Sequence, residues 1–231
     1  MNRDSSIRIA PSPSAIQPAA LRQFLYDTYA DTPKLLRVLG SLRPYVCPFD
    51  RLLPFVPAGA SVIDFGCGHG ALLVMMGAIS RISKGIGCDI AVPALAAARA
   101  AARRLGLEDA LTFLPVHAID EVPQGPFDVV SMVDVLHHVP LAEREAFISC
   151  AAARVAPGGV FIFKDMTTRS RARQFAHQLD DWMFTREWVV PVECEEVERW
   201  ASAAGLELQY AEYIPRLIYG NELRIFQRPL E

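Results

Sequence analysis

The stretch Val62-Ile-Asp-Phe-Gly-Cys-Gly-His-Gly70 decides how the rest of the chain is read. A short apolar run ends in an acid and passes into glycines on alternate residues. That is the pattern of a buried parallel strand turning sharply into a helix. Gly66, Gly68 and Gly70 suit such a turn because a residue without a Cβ adopts positive φ at little cost. They also let a ligand come close to the backbone at the mouth of a helix, where the first N–H groups lack intrahelical partners.

Spacing alone leaves two ligands open, since Gly66, Gly68 and Ala71 also satisfy the G-x-G-x-x-G/A fingerprint of dinucleotide-binding turns. Asp64 extends the pattern to D-x-G-x-G-x-G, and three further segments follow it. They are Gly85-Ile-Gly-Cys-Asp-Ile90, Phe127-Asp-Val-Val-Ser-Met-Val-Asp-Val-Leu-His-His-Val-Pro140 and Arg154-Val-Ala-Pro-Gly-Gly-Val-Phe-Ile-Phe163. In this order and spacing the four segments resemble the motifs of the class I S-adenosylmethionine-dependent methyltransferases, over roughly Ser61 to Phe163. The resemblance implies an α/β fold: a doubly wound, mostly parallel, seven-stranded Rossmann-like sheet with helices on both faces and an antiparallel last strand. It also implies S-adenosyl-L-methionine as cofactor.

The pattern along the chain agrees with such a fold. Strands are expected at Ser61 to Phe65, Gly85 to Asp89, Leu111 to Val116, Phe127 to Met132 and Val160 to Phe163. Helices are expected at Gly70 to Ser80, from Pro93 to Leu105 before Gly106, and at Leu141 to Val155 ahead of a Pro157-Gly158-Gly159 turn. A helix over Glu193 to Ala204 then precedes strands Leu206 to Ile214 and Glu222 to Gln227, joined by a loop holding Pro215 and Gly220-Asn221. Residues 1–17, rich in Ser and Pro without a period, read as a flexible tail, and 18–231 as one domain. Within it, 18–57 form an N-terminal helical extension and 61–163 the cofactor-binding core. In the extension, Leu21, Phe24, Leu25 and Thr28 fall at helical spacing, and Leu35, Leu36 and Leu39 share one face of a second helix. The extension is expected to lie over the active site or to cover a sheet edge.

Composition narrows the function. The 231 residues are 52% hydrophobic, enough for a large core. The net charge of −3, from 23 basic and 26 acidic residues, provides no global field for nucleic acid. Five widely spaced cysteines without a C-x-x-C pair read as reduced thiols of a cytoplasmic protein, and no histidine spacing suggests a metal site. No segment reads as a membrane span, so integral membrane contact is not expected.

Asp89 ends the second strand 19 residues beyond Gly70, near the interval of about 20 at which a carboxylate reaches a ribose diol. By resemblance Asp89 holds the ribose hydroxyls and Ile90 packs on the adenine. Asp64 and the loop of Gly66, Cys67, Gly68 and Gly70 face the methionine end, while Val133 and Asp134 line its methyl end. The third strand departs from the family pattern in lacking the usual acid, leaving adenine to the backbone at Ala118 or to Asp120. His137 and His138 follow the fourth strand, where either is a candidate general base or a backbone-bonded structural residue; the position of His138 nearer Pro140 favours it slightly. Lys164 and Asp165 also stand at this edge as candidate substrate contacts.

Residues 168–192 carry Arg169, Arg171 and Arg173 and then Phe175, Trp182, Phe184 and Trp188, without alternating or heptad order. The whole segment reads as a lid or insertion, and its aromatic stretch from Phe175 to Trp188 suits a lid over the acceptor, a homodimer surface, a membrane-surface patch or plain core. The expectation is a methyltransferase acting on a small, apolar, hydroxylated or enolic acceptor of secondary-metabolite, lipid or quinone type. The alternatives are a non-catalytic regulatory partner of the same fold and a nicotinamide-dependent oxidoreductase.

Overall fold

The structure, a computed structural model, describes residues 16–80, 82–166, 168–185 and 188–230. Most of the expected tail lies outside these residues. Ile16, however, packs against the core and Gln17 directly precedes the first helix, so packing begins before Pro18.

Seven strands form one sheet: β1 Ser61–Phe65, β2 Lys84–Asp89, β3 Leu111–Pro115, β4 Phe127–Val133, β5 Val155–Met166, β6 Glu207–Arg216 and β7 Tyr219–Gln227. Their spatial order is β3-β2-β1-β4-β5-β7-β6. Pairs from β3 to β5 are parallel, and β7 runs antiparallel to both of its neighbours. The chain steps outward from β1 to β3 and then returns to β4 beside β1. That reversal opens a crevice at the carboxyl ends of β1 and β4, where open α/β sheets bind ligands.

The apolar strands are continuous rather than alternating because both faces are covered. Val62, Val129 and Ile162 enter one core, whereas Ile63, Val130 and Phe161 enter the other. The first core lies under α1 Pro18–Thr28, α3 Phe49–Leu52, α4 Ala71–Met75 with its π-helical continuation Met76–Ser80, and α5 Val92–Arg104. Ala94, Ala98, Ala101 and Ala102 of α5 are buried, and their small side chains bring that helix close to the sheet. The second core lies under α6 Arg144–Ala153 and α8 Cys194–Ala203.

Four expectations need correction. The helix expected to reach Val155 is a 3-10 turn, Leu141–Glu143, followed by α6, and Val155 already belongs to β5. The Pro157-Gly158-Gly159 turn is an irregularity inside β5: Phe127 pairs with Val155, but Val129 pairs with Val160. Pro215 and Gly220 pair across the closing hairpin, whose tip is therefore Leu217-Ile218. The stretch expected to lack order from Phe175 to Trp188 is helical in part: α7 covers Arg171–Thr185 and places Phe175, Leu179 and Trp182 at i, i+4 and i+7. The leucines of α2 Lys34–Ser41 do share one face, but that face is turned outward, with Leu35 70% exposed.

Candidate active site

β1 delivers Asp64 into the sheet and then the glycine loop. Gly66 and Gly68 adopt φ of 63° and 54°. At Gly66 a side chain is excluded twice over, by that φ and because a Cβ would meet Val135 at 2.5 Å. At Gly68 only the φ requires glycine; nothing lies within 4 Å of a would-be Cβ, which leaves open space beside the loop. The Cys67 N–H donates to the Cys88 carbonyl at 3.0 Å, tying the loop to the end of β2.

Asp89 stands beside that space. Its carboxylate accepts from Gly68 N at 2.7 Å and from Ala91 N at 2.8 Å, so it is oriented by the loop on one side and the start of α5 on the other. Each oxygen retains capacity for a further donor. Ile90 next to it is 68% exposed, an apolar surface at the edge of the crevice. Ala118, expected from the sequence to meet adenine, sits where the Glu121 carboxylate accepts from both His117 N and Ala118 N, so its N–H already has an acceptor.

Asp64 is 3% exposed and accepts from the Ser131 hydroxyl of β4 at 2.6 Å. Burial pushes its carboxyl up to about 7, against the opposing pull of that hydrogen bond. Asp134 directly follows β4, in the left-handed region at φ 58°. Its carboxylate takes Lys164 Nζ at 2.5 Å and Arg43 Nη2 at 3.4 Å. Burial alone would raise Asp134, but Lys164 and Arg43 outweigh it and hold the group well below the usual carboxylate range. Val133, half-buried, leads into this loop.

His137 and His138 fall in a 3-10 turn directly after the Asp134 loop and differ in surroundings. His137 is 4% exposed, and its Nδ1 lies 2.5 Å from Asp165 Oδ1. Asp165 also accepts from Leu136 N at 3.1 Å and Met166 N at 2.7 Å, so its two oxygens act as acceptors. An ionised Asp165 makes Nδ1 the protonated nitrogen of neutral His137 and leaves Nε2 as the basic one. His138 is exposed, its ring 4.2 Å from that of His137. Both line a cleft with Val139, Leu141, Trp188 and Val190. Arg144, itself buried, floors the cleft by donating to the carbonyls of His137, Val139, Val190 and Pro191. Lys164 and Asp165, expected as substrate contacts, are each 1% exposed and serve Asp134 and His137.

The N-terminal extension reaches the same edge. The Tyr29 hydroxyl donates to the His69 carbonyl at 2.6 Å, and Arg43 reaches Asp134. Sequence reading missed Tyr29, Arg43 and Ser131; nothing local distinguishes them, because each acts across 40 or more residues.

A glycine cradle with a carboxylate at the next strand end, in a switch-point crevice, defines a class of nucleoside-binding α/β proteins. A family model described as "Methyltransferase domain" matches residues 43–211. The chain belongs to the class I S-adenosylmethionine-dependent methyltransferase family. A ubiquinone biosynthesis O-methyltransferase of Alkalilimnicola ehrlichii is 28% identical over 157 residues, 65% of this chain and 62% of that protein. The chain spans about half to two thirds of the length of the relatives it matches. An O-methyltransferase family protein from Burkholderia thailandensis superposes with a TM-score of 0.66 at 21% identity, covering 92% of this chain and 72% of that one. Magnesium protoporphyrin IX methyltransferase from Synechocystis, solved with S-adenosylhomocysteine, gives 0.64 at 16% identity, covering 92% and 100%.

S-adenosylmethionine is the cofactor of this family. The residues present fit it: the open space at Gly68, the loop-oriented carboxylate of Asp89 and the exposed apolar Ile90 match a cradle, a diol acceptor and a ring-packing surface. Among the described residues no helix is long and apolar enough to cross a membrane.

Proposed function

We propose that this chain transfers a methyl group to the oxygen of a small, apolar, phenolic or enolic acceptor of quinone-precursor type, with His137 as general base. The observation that carries this reading is the buried His137–Asp165 pair beside the Asp134 loop, with His137 among the residues that line an adjacent cleft. The ubiquinone-biosynthesis relatives support the acceptor class. The cofactor, when bound, supplies a methyl group on a sulfonium.

Asp89 would hold the ribose hydroxyls, with Ile90 against the adenine; the glycine loop and Asp64 would receive the methionine end, with Val133 and Asp134 toward its methyl end. His137 Nε2 is itself buried, so in this reading the cleft widens at the 136–138 turn before Nε2 accepts the acceptor's hydroxyl proton and makes the oxygen a strong nucleophile. Asp165 keeps the ring in the correct tautomer and balances the imidazolium that forms. Trp188, Val190 and Leu141 give the cleft an apolar rim against which an apolar acceptor would be covered from water. His138, slightly favoured by the sequence, lines the same cleft as an exposed side chain, its ring 4.2 Å from that of His137.

The test is turnover on a panel of catechols and hydroxyquinone precursors, followed as S-adenosylhomocysteine formed. His137→Gln and Asp165→Asn should each lower turnover by about 10² to 10⁴ with cofactor affinity kept, because positioned proton transfer contributes in that range. His138→Gln should change it less than about threefold. Wild-type turnover and pH dependence in His137→Gln would remove the base from the mechanism.

A further inference from the structure

An amphipathic helix ordinarily turns its apolar face toward the core. α2 does the reverse. Leu35, Leu36, Leu39 and, just beyond its end, Leu42 are 70, 54, 40 and 39% exposed, while the buried residue of the helix is Ser41. The Ser41 hydroxyl donates to Val38 O, and Arg37 Nε donates to Tyr26 O with its guanidinium 3.7 Å from the Tyr26 ring centroid. The inward side is thus the polar one, fastened to α1. Exposing four leucines on one face is costly unless something apolar covers them.

Charge indicates what covers them. From Pro33 to Tyr45 the chain carries Lys34, Arg37 and Arg43 and no acid, in a protein whose net charge is −3. Asp31, just before the helix, is neutralised by Arg104 at 2.7 Å. Arg43 is tied to Asp134 and Arg37 is turned onto Tyr26, so Lys34 is the exposed base of the helix itself; a leucine face flanked by basic and not acidic residues is the pattern of a helix lying in a lipid interface. A second copy of the chain suits the face less well. Eight residues make a helix about 12 Å long, and one side of it falls far short of the roughly 800 Å² per partner of a stable interface. Shallow insertion into lipid needs no such area.

We propose that α2 is an interfacial helix that seats this protein on an anionic lipid surface through Leu35, Leu36, Leu39 and Leu42. The assignment goes beyond the methyl-transfer reading and stands on the helix itself. Its consequence for that reading is placement: the segments flanking α2 hold the His69 carbonyl and Asp134, so the mouth of the crevice is brought to the layer where an apolar acceptor dissolves.

The test is flotation of the full chain with vesicles of phosphatidylcholine alone and of phosphatidylcholine mixed with phosphatidylglycerol. Wild type should bind the mixed vesicles at least tenfold more tightly than the neutral ones, and added salt should weaken that binding. The double variant Leu35→Ser/Leu39→Ser should lose at least tenfold, and Lys34→Glu should lose binding to the mixed vesicles. Calorimetry with S-adenosylhomocysteine on the same samples reports whether the variants fold and bind cofactor, independently of any acceptor. Absence of binding to either vesicle, equal binding to both, or unchanged binding by a folded double variant would overturn the assignment. So would a wild-type dimer, seen by sedimentation without lipid, that the double variant splits; the occupant would then be a second copy.

Discussion

Replacing Asp64 by asparagine tests how the buried carboxyl beneath the glycine loop is ionised. In the folded chain Asp64 titrates near 7, against 3.8 for an ordinary carboxyl, because burial disfavours its charge. A folded-state pKa above the unfolded one means the native state holds the extra proton, so this group's contribution to stability is present at acid pH. It is lost as pH rises from about 4 to about 7 and is level above that. Between pH 5 and the folded pKa there are about two units, each worth about 1.36 kcal/mol, so wild type loses about 2.7 kcal/mol at this site by pH 8. The substituted amide keeps an oxygen for the Ser131 hydroxyl and has nothing to titrate. Its amide hydrogens carry a pH-independent cost of about 1 to 3 kcal/mol if they find no acceptor. The informative quantity is therefore the change, from pH 5 to pH 8, in the stability difference between the two proteins. Urea denaturation at both pH values should show Asp64→Asn gaining about 2.7 kcal/mol on wild type. Parallel stability profiles would refute the argument.

Asp89→Asn should weaken S-adenosylhomocysteine binding at least tenfold in calorimetry, since the lost acceptor is an ionised one whose hydrogen bonds are each worth about 1.5 to 3 kcal/mol. Lys164→Met leaves Asp134 without its nearest cation and should cost about 3 to 5 kcal/mol in urea denaturation. Adding Asp134→Asn should recover much of it. Arg144→Met withdraws the donor shared by four carbonyls that join the His137 turn to residues 190–191. It should lower the thermal midpoint and, by loosening that turn, depress turnover more than cofactor affinity.

Local pattern carries most of the fold. β1, the glycine loop, α5 with its buried alanines and Asp89 at the end of β2 are legible because each is set by neighbours a few residues away or by the length of one βαβ unit. The partners of the candidate acid–base residues are not. Asp165 meets His137 across 28 residues, Lys164 meets Asp134 across 30 and Arg43 meets Asp134 across 91, and no periodicity encodes those distances. Periodicity also defines the leucine face of α2 without its direction, since a moment gives an axis of polarity and not the neighbour it meets. The hairpin tip is misplaced by sequence because Pro215 and Gly220 look like turn residues. Pro215 lies on the edge strand β6, where proline is tolerated, and Gly220 pairs with it at the start of β7, so the turn falls on Leu217-Ile218.

The two ties that reach down from the N-terminal extension, Tyr29 to the His69 carbonyl and Arg43 to Asp134, bear on timing as well as position. Both end on loops that border the crevice: one is a phenolic hydrogen bond, the other an ion pair whose arginine is half-exposed. On the proposed mechanism His137 acts in the chemical step, and these two ties bear instead on ligand exchange. Tyr29→Phe, which removes one tie and keeps the ring, should then shorten the residence time of S-adenosylhomocysteine while leaving the first turnover unchanged.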